Sequence, residues 1–228
     1  MIKQPAYLLG IETSGITCAV GIANNDQLLI ELAAGITNIH SRVLSRFVNE
    51  ALEIAGIEAG DLAGVVVSAG PGSFTGLRIG YSVAKGVAHA LQKPIIEVPT
   101  LDVWAYQTGA QSMPVLSVID AHRGEIFAAR YLWKNNVLHR ESEYEMLAPE
   151  ALQSFCQTPH LVAGNDAKSM AAELLNNLPN GSQLANPAAA YPQLWALHSL
   201  GFQRFHNGEL SDTASCEPMY IRAFKGAS

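Results

Sequence analysis

The run Gly70-Pro71-Gly72-Ser73-Phe74-Thr75-Gly76-Leu77-Arg78-Ile79-Gly80 gathers the residues best suited to chemistry or close contact in this chain. It follows Val65-Val66-Val67, which reads as a buried strand, and opens a helical pattern over residues 75–91. A glycine-rich turn between strand and helix points backbone N–H groups outward at the helix N-terminus, which suits an anion or the backbone of a partner. Its spacing is neither a dinucleotide fingerprint nor a phosphate loop ending in Gly-Lys-Ser/Thr. Glu12 and Asp120 end two strand-like runs. With Thr13, Ser14 and the glycine loop nearby, they could hold Mg²⁺ and a nucleotide in a cleft between two halves of the chain. Against that, glutamate carries an extra methylene that shifts a metal, and one strand-end acid per half is common. Ser73, His40 and Asp61 have no hydrolase spacing, and the Gly-x-Ser-x-Gly pattern is absent. No second histidine stands three to five residues from His40, so a metal pair is not indicated, and His122, His139, His160, His198 and His206 are scattered.

In the helix after the loop, Gly76, Gly80, Ala84 and Ala88 recur every four residues. Such a small-residue ridge lets another surface approach closely. Each glycine inside a helix costs about 0.5–1 kcal/mol relative to alanine, so the pair implies a packing requirement. Ile79, Val83 and Val87 lie beside the ridge, and Arg78, Lys85 and His89 share the opposite face. The ridge fits the chain's own sheet or a helix of another molecule, and the sequence leaves both open. His40-Ser41-Arg42 begins an earlier helix over 41–55, with Ser41 placed to cap its start and Gly56 its end. Val43, Leu44, Phe47, Val48, Ala51, Leu52, Ile54 and Ala55 cover about half its circumference, a wide arc for a helix that buries one stripe.

The elements that must position these residues are set by periodicity and turn signals. Strands at 7–11, 17–23 and 27–33 form a meander, turned by Ser14-Gly15 and Asn24-Asn25-Asp26. The 41–55 helix, a strand at 64–68, the 75–91 helix, a strand at 95–98 and a helix from 101 complete a β-β-β-α-β-α-β-α series. Strands at 115–120, 125–133 and 137–145, with Asn135-Asn136 as a turn, then helix 150–156, strand 160–163 and helix 167–178, partly repeat it. The fold class is α/β, with two lobes, 1–109 and 110–228, hinged at 109–114. After an Asn/Pro/Ala pattern at 186–192, a last helix over 193–206 is placed to pack back on the first lobe. The closing Pro218-Met219-Tyr220-Ile221-Arg222 reads as an extended segment.

At 228 residues, with 49% apolar and 15% charged residues, each lobe can bury a core. A net charge of −6 argues against a broad basic surface for nucleic acid, although Arg42, Arg46, Arg78 and Lys85 make a small local patch. Cys18, Cys156 and Cys216 are odd in number and show no metal spacing, so they read as reduced thiols. Pro5 and Glu12 bracket too short an apolar run for a secretory leader, and no run reaches membrane length, so the expected location is the cytoplasm.

The run 70–80, His40-Ser41-Arg42, Asp61-Leu62, Asp120-Ala121-His122-Arg123-Gly124-Glu125 and Pro218-x-Tyr220-x-Arg222 together resemble the TsaB (YeaZ) family, related to the glycoprotease-like TsaD proteins. The resemblance implies an actin-like fold of the sugar-kinase and Hsp70 class. It implies an accessory, non-catalytic part in making threonylcarbamoyladenosine at position 37 of tRNAs that read ANN codons. The implied partners are TsaD as a heterodimer, TsaE in a ternary complex, a second copy when TsaD is absent, and tRNA only through the complex. ATP and metal would sit on partner subunits, with no cofactor held by this chain. The implied interface takes His40, Ser41, Leu44, Phe47, Val48 and Ala51 from the first helix. From the loop and second helix it takes Gly72, Phe74, Thr75, Gly76, Arg78, Ile79, Gly80, Val83, Ala84 and Val87. Two departures stand out: Glu12 where the family has Asp, and His122 where it has Arg. Glu12, Thr13, Ser14 and Asp120 then read as a vestigial nucleotide cleft. The alternatives are a stand-alone actin-like ATPase or kinase and, below it, a glycoprotease-like peptidase.

Overall fold

A computed structural model describes residues 6–25, 27–165, 167–185 and 191–221. The first sheet is built from β1 (Tyr7–Glu12), β2 (Cys18–Asn24), β3 (Gln27–Ala34), β4 (Leu62–Gly70) and β5 (Ile95–Pro99), in the order β3-β2-β1-β4-β5. β1 runs antiparallel to β2 and parallel to β4, and β4 runs parallel to β5. The central strands are covered on both faces, so β1 and β4 read as nearly continuous apolar runs rather than alternating ones.

One face is covered by α1 (His40–Ala55) and α2 (Phe74–Leu91), whose Val43, Leu44, Phe47, Tyr81 and Ala84 pack with Leu9, Ile11, Val65 and Val67. Gly56 ends α1 in the left-handed conformation at φ 65°, and its N–H caps the last turn. The start of α1 differs from expectation. Ile39 is the capping position and makes no side-chain cap, while Ser41 lies inside the first turn, exposed. The other face is covered by α6 (Leu194–Asn207). Gly10 and Gly21 stand opposite each other on β1 and β2, and a β-carbon on Gly10 would overlap the His198 ring. The ring nitrogens of His198 lie 2.8 Å from the Leu194 carbonyl and 3.2 Å from that of Leu8, fixing the helix on the sheet.

The second sheet contains β6 (Val115–His122), β7 (Glu125–Lys134), β8 (Val137–Arg140), β10 (Leu161–Ala163) and β11 (Gln183–Leu184), with β9 (Glu145–Leu147) also paired to β7. Read as β8-β7-β6-β10-β11, its order repeats that of the first sheet, the repeat that the resemblance to an actin-like fold implies. Asn135 and Asn136 both adopt positive φ, 51° and 61°, in the β7–β8 turn. The strand expected over 137–145 is divided into β8 and β9. The helices α4 (Leu152–Phe155) and α5 (Ala171–Asn176) are shorter than their periodicity suggests.

The chain divides into one unit of Met1–Thr100 with Pro192–Pro218, and a second of Leu101–Tyr191 with the terminal residues. The division falls at the start of α3 (Thr100–Tyr106) rather than at 109, because Leu101, Trp104 and Ala105 pack against Val115, Ile119 and Tyr131 of the second unit. The pattern at 186–190, Asp26 and Arg222 lie outside the described residues. All three cysteines are buried free thiols. Among the described residues no helix is long and apolar enough to cross a membrane.

Candidate functional site

β1 ends at Glu12, beside Ser68 of β4, because Ile11 and Val67 are register partners. The Glu12 side chain is 0% exposed. Its Oε1 accepts from the Ser14 N–H at 2.6 Å and from the Ser14 hydroxyl at 2.5 Å, and its Oε2 accepts from the Ser68 hydroxyl. Burial pushes this carboxyl up to about 7, against the three hydrogen bonds, which favour the charged form. Burial likewise pushes the neighbouring Cys18 thiol up to about 11, with the Glu12 charge adding to the effect.

The glycine loop folds onto this strand end. The Ser73 N–H donates to the Ser14 carbonyl at 2.7 Å. A β-carbon on Gly72 would overlap the Ser14 carbonyl oxygen, one on Gly76 that of Thr13, and one on Gly80 the Thr13 hydroxyl. Glycine is therefore required along the loop and the first turns of α2 because the chain's own strand end passes against them. Ser73 caps α2, its hydroxyl accepting from the Gly76 N–H at 3.2 Å.

These contacts correct the expected interface. Gly76, Gly80 and Ala84 face the first unit's own sheet, as Leu44, Phe47, Val48 and Ala51 of α1 do, and His40 is also buried. The small-residue ridge admits Thr13 and β1. His40, Phe47 and Val48 keep 7%, 8% and 5% of their surface exposed, and Leu44, Ala51 and Ala84 keep 1% or none. What remains outward is Ser41, Phe74, Thr75 and Arg78, with Gly72, Ile79, Val83 and Val87 half-buried. Ser41, Phe74, Thr75, Arg78, Ile79, Ser82 and Val83 line a groove of about 430 Å³ between the starts of α1 and α2. The Arg78 guanidinium lies 3.9 Å from the centre of the Phe74 ring, which is 41% exposed. Ser82 is a groove residue that the sequence does not single out. Its i,i+4 relation to Arg78, whose carbonyl its hydroxyl meets at 2.7 Å, is the available signal.

Asp120 belongs to the second unit. Its carboxylate accepts from the His122 N–H at 2.7 Å and lies 3.2 Å from His122 Nδ1. His122 and Arg123 both have φ near +60°, at 62° and 61°, so Asp120 holds the β6–β7 turn in a backbone shape that needs such support. Both oxygens of Glu12 are engaged inside the first unit, and its burial opposes a charged ligand role. The residues present do not fit a strand-end Mg²⁺ site at Glu12. Among the described residues no group of three His, Cys, Asp or Glu side chains could hold a metal.

The pattern of the family described as TsaD, tRNA N6-adenosine threonylcarbamoyltransferase, matches residues 34–192. The chain belongs to this family. It is 26% identical over 219 residues to the tRNA threonylcarbamoyladenosine biosynthesis protein TsaB of Bacillus subtilis (strain 168), covering 94% of this chain and 93% of that protein. It is 27% identical over 222 residues to the TsaB of Escherichia coli (strain K12), covering 94% of each. Among solved structures, YeaZ from Pseudomonas aeruginosa superposes with a TM-score of 0.80 at 24% identity, over 94% of this chain and 99% of that one, which shows the fold. The resemblance to TsaB (YeaZ) that the motifs carried is borne out over nearly the whole length.

Proposed function

We propose that this chain takes part in the biosynthesis of tRNA threonylcarbamoyladenosine as a non-catalytic platform. It binds a TsaD-type subunit, and with it TsaE, for threonylcarbamoyl transfer to adenosine 37. Matches to TsaB proteins over 94% of the chain support the pathway. The observation that carries the platform role is the outward face of α1 and α2. Phe74, Ile79, Val83 and Val87 leave apolar surface beside the Ser41–Ser82 groove, and Arg78 supplies a cation in the groove of a chain whose net charge is −6. Aromatic and arginine side chains at a groove are the composition of interface anchors. The docking surface is thus smaller than the full helix pair and excludes the small-residue ridge.

In this reading ATP and metal belong to the partner subunits, tRNA is met only through the complex, and two copies pair through the same face when TsaD is absent. The test is reconstitution of the tRNA modification from purified TsaD, TsaE and the threonylcarbamoyl-AMP synthase. Modified adenosine is expected with this chain present and at least tenfold less when it is omitted. Equal modification in both reactions contradicts the proposal, and ATP turnover by the chain alone would favour the ATPase alternative.

A further inference from the structure

We propose that Glu12 is the positioning residue of the glycine loop: held by Ser68 and gripping Ser14, it sets where Ser73 and Phe74 stand. This rests on the reading of the α1–α2 face as a docking surface and names what fixes its geometry. The path is continuous in hydrogen bonds. The Ser68 hydroxyl holds Oε2 of Glu12, Oε1 accepts both the N–H and the hydroxyl of Ser14, and the Ser14 carbonyl takes the Ser73 N–H at 2.7 Å. Ser73 is the cap of α2, and Phe74 is its first residue.

Among the described residues, the side-chain hydrogen bonds that hold the Thr13–Ser14 pair run to Glu12. Thr13 Oγ1 is buried and has no hydrogen-bond partner among the described residues, and Gly72 and Gly76 close on the Thr13 and Ser14 carbonyls with no room for a β-carbon. The loop therefore sits where the Thr13–Ser14 turn puts it, and Glu12 holds that turn. A glutamate is needed because one side chain must reach Ser68 across the sheet and also curl back to the second residue after itself. An aspartate, one methylene shorter, meets one of these but not both.

Amide hydrogen exchange on the full chain tests this without any partner. The Ser73 amide reports the loop. The Ile95 amide, bonded to the Ser211 carbonyl at 3.0 Å on the edge strand, reports the rest of the unit. Glu12→Asp is expected to speed exchange at Ser73 by about tenfold or more while Ile95 changes less than about twofold. Glu12→Gln is expected to restore protection, since its amide oxygen accepts from Ser14 and its NH₂ donates to Ser68. Equal acceleration at both amides, or no change at Ser73, overturns the proposal. Should Glu12→Asp not fold, Ser68→Ala frees one carboxyl oxygen only and must still speed Ser73 selectively. A chain that shows this exchange pattern yet binds no TsaD-type subunit sinks the docking surface and leaves the positioning role standing. Binding with no selective effect at Ser73 does the reverse.

Discussion

The first central strand of each unit ends in an acid, and the two acids live differently. Glu12 is wholly buried, and its oxygens fasten Ser14 and Ser68 inside the unit. The Asp120 side chain is 34% exposed, and that of His122 beside it is 85% exposed. The strand order is the same in both sheets, so topology does not decide the difference. The loop leaving the neighbouring parallel strand decides it. After β4 that loop carries Gly72 and Gly76 onto the Thr13–Ser14 turn and seals it, whereas after β10 Gly164 closes lower down, on the Val118 carbonyl. A repeated fold keeps the path of the chain while the chemistry at equivalent strand ends is set by one local contact.

The contrast between the two strand ends is tested most severely by putting side chains where the glycines admit a carbonyl. Gly76→Leu and Gly164→Leu are each expected to cost about 3 kcal/mol or more, because the obstacle is backbone that has nowhere to move. Gly80→Leu is expected to cost somewhat less, since the atom in its way is the Thr13 hydroxyl, a side chain rather than backbone. Urea unfolding of the three variants checks this, and a normal midpoint for Gly76→Leu would mean the loop is not seated on β1.

Next in size is the pH response of Glu12. Its folded-state pKa of about 7 lies above its ordinary 4.5, so the folded chain holds a proton that the unfolded chain has released. The Glu12 contribution to stability is therefore largest below the ordinary value, falls as pH rises toward about 7, and is flat above it. Burial holds His160 and His198 below their ordinary value and gives them the opposite slope on the acid side. The Glu12 loss is about 3 kcal/mol in total. The difference in unfolding free energy between the unaltered chain and Glu12→Gln, followed from pH 4.5 to 8.5, isolates that slope, and a difference that does not change with pH would contradict it. The smallest effect is expected in the second unit, where Asp120→Asn should shift stability by about 0.5–1 kcal/mol at most, since the group is partly solvated and supports one turn.

Much of this arrangement is legible in the sequence. The Gly56 cap, the Asn135-Asn136 turn and the strand–loop–helix run at 65–91 announce themselves through backbone preferences that act over a few residues. The four-residue spacing of Gly76, Gly80, Ala84 and Ala88 states that something approaches closely. It carries no information on what, because a glycine ridge looks the same whether Thr13 or a foreign helix lies against it. Likewise the arc of α1 reads as wide only if Leu52, Ile54 and Ala55 count as buried. Ile54 is 63% exposed, and the remaining stripe fits one sheet. Ser68 cannot be found from sequence at all. It meets Glu12 across 56 residues, through a register that only the sheet defines.

If the platform reading holds, a TsaD-type subunit covers the outward face of α1 and α2, not the ridge beneath it. Calorimetric titration of that subunit into the Arg78→Glu chain tests this, because Arg78 is exposed and lines the groove. Losing its contact with Phe74 should cost the free chain about 1 kcal/mol or less. The expected result is an affinity weakened at least about tenfold with an unfolding midpoint close to that of the unaltered chain. Unchanged affinity would contradict it.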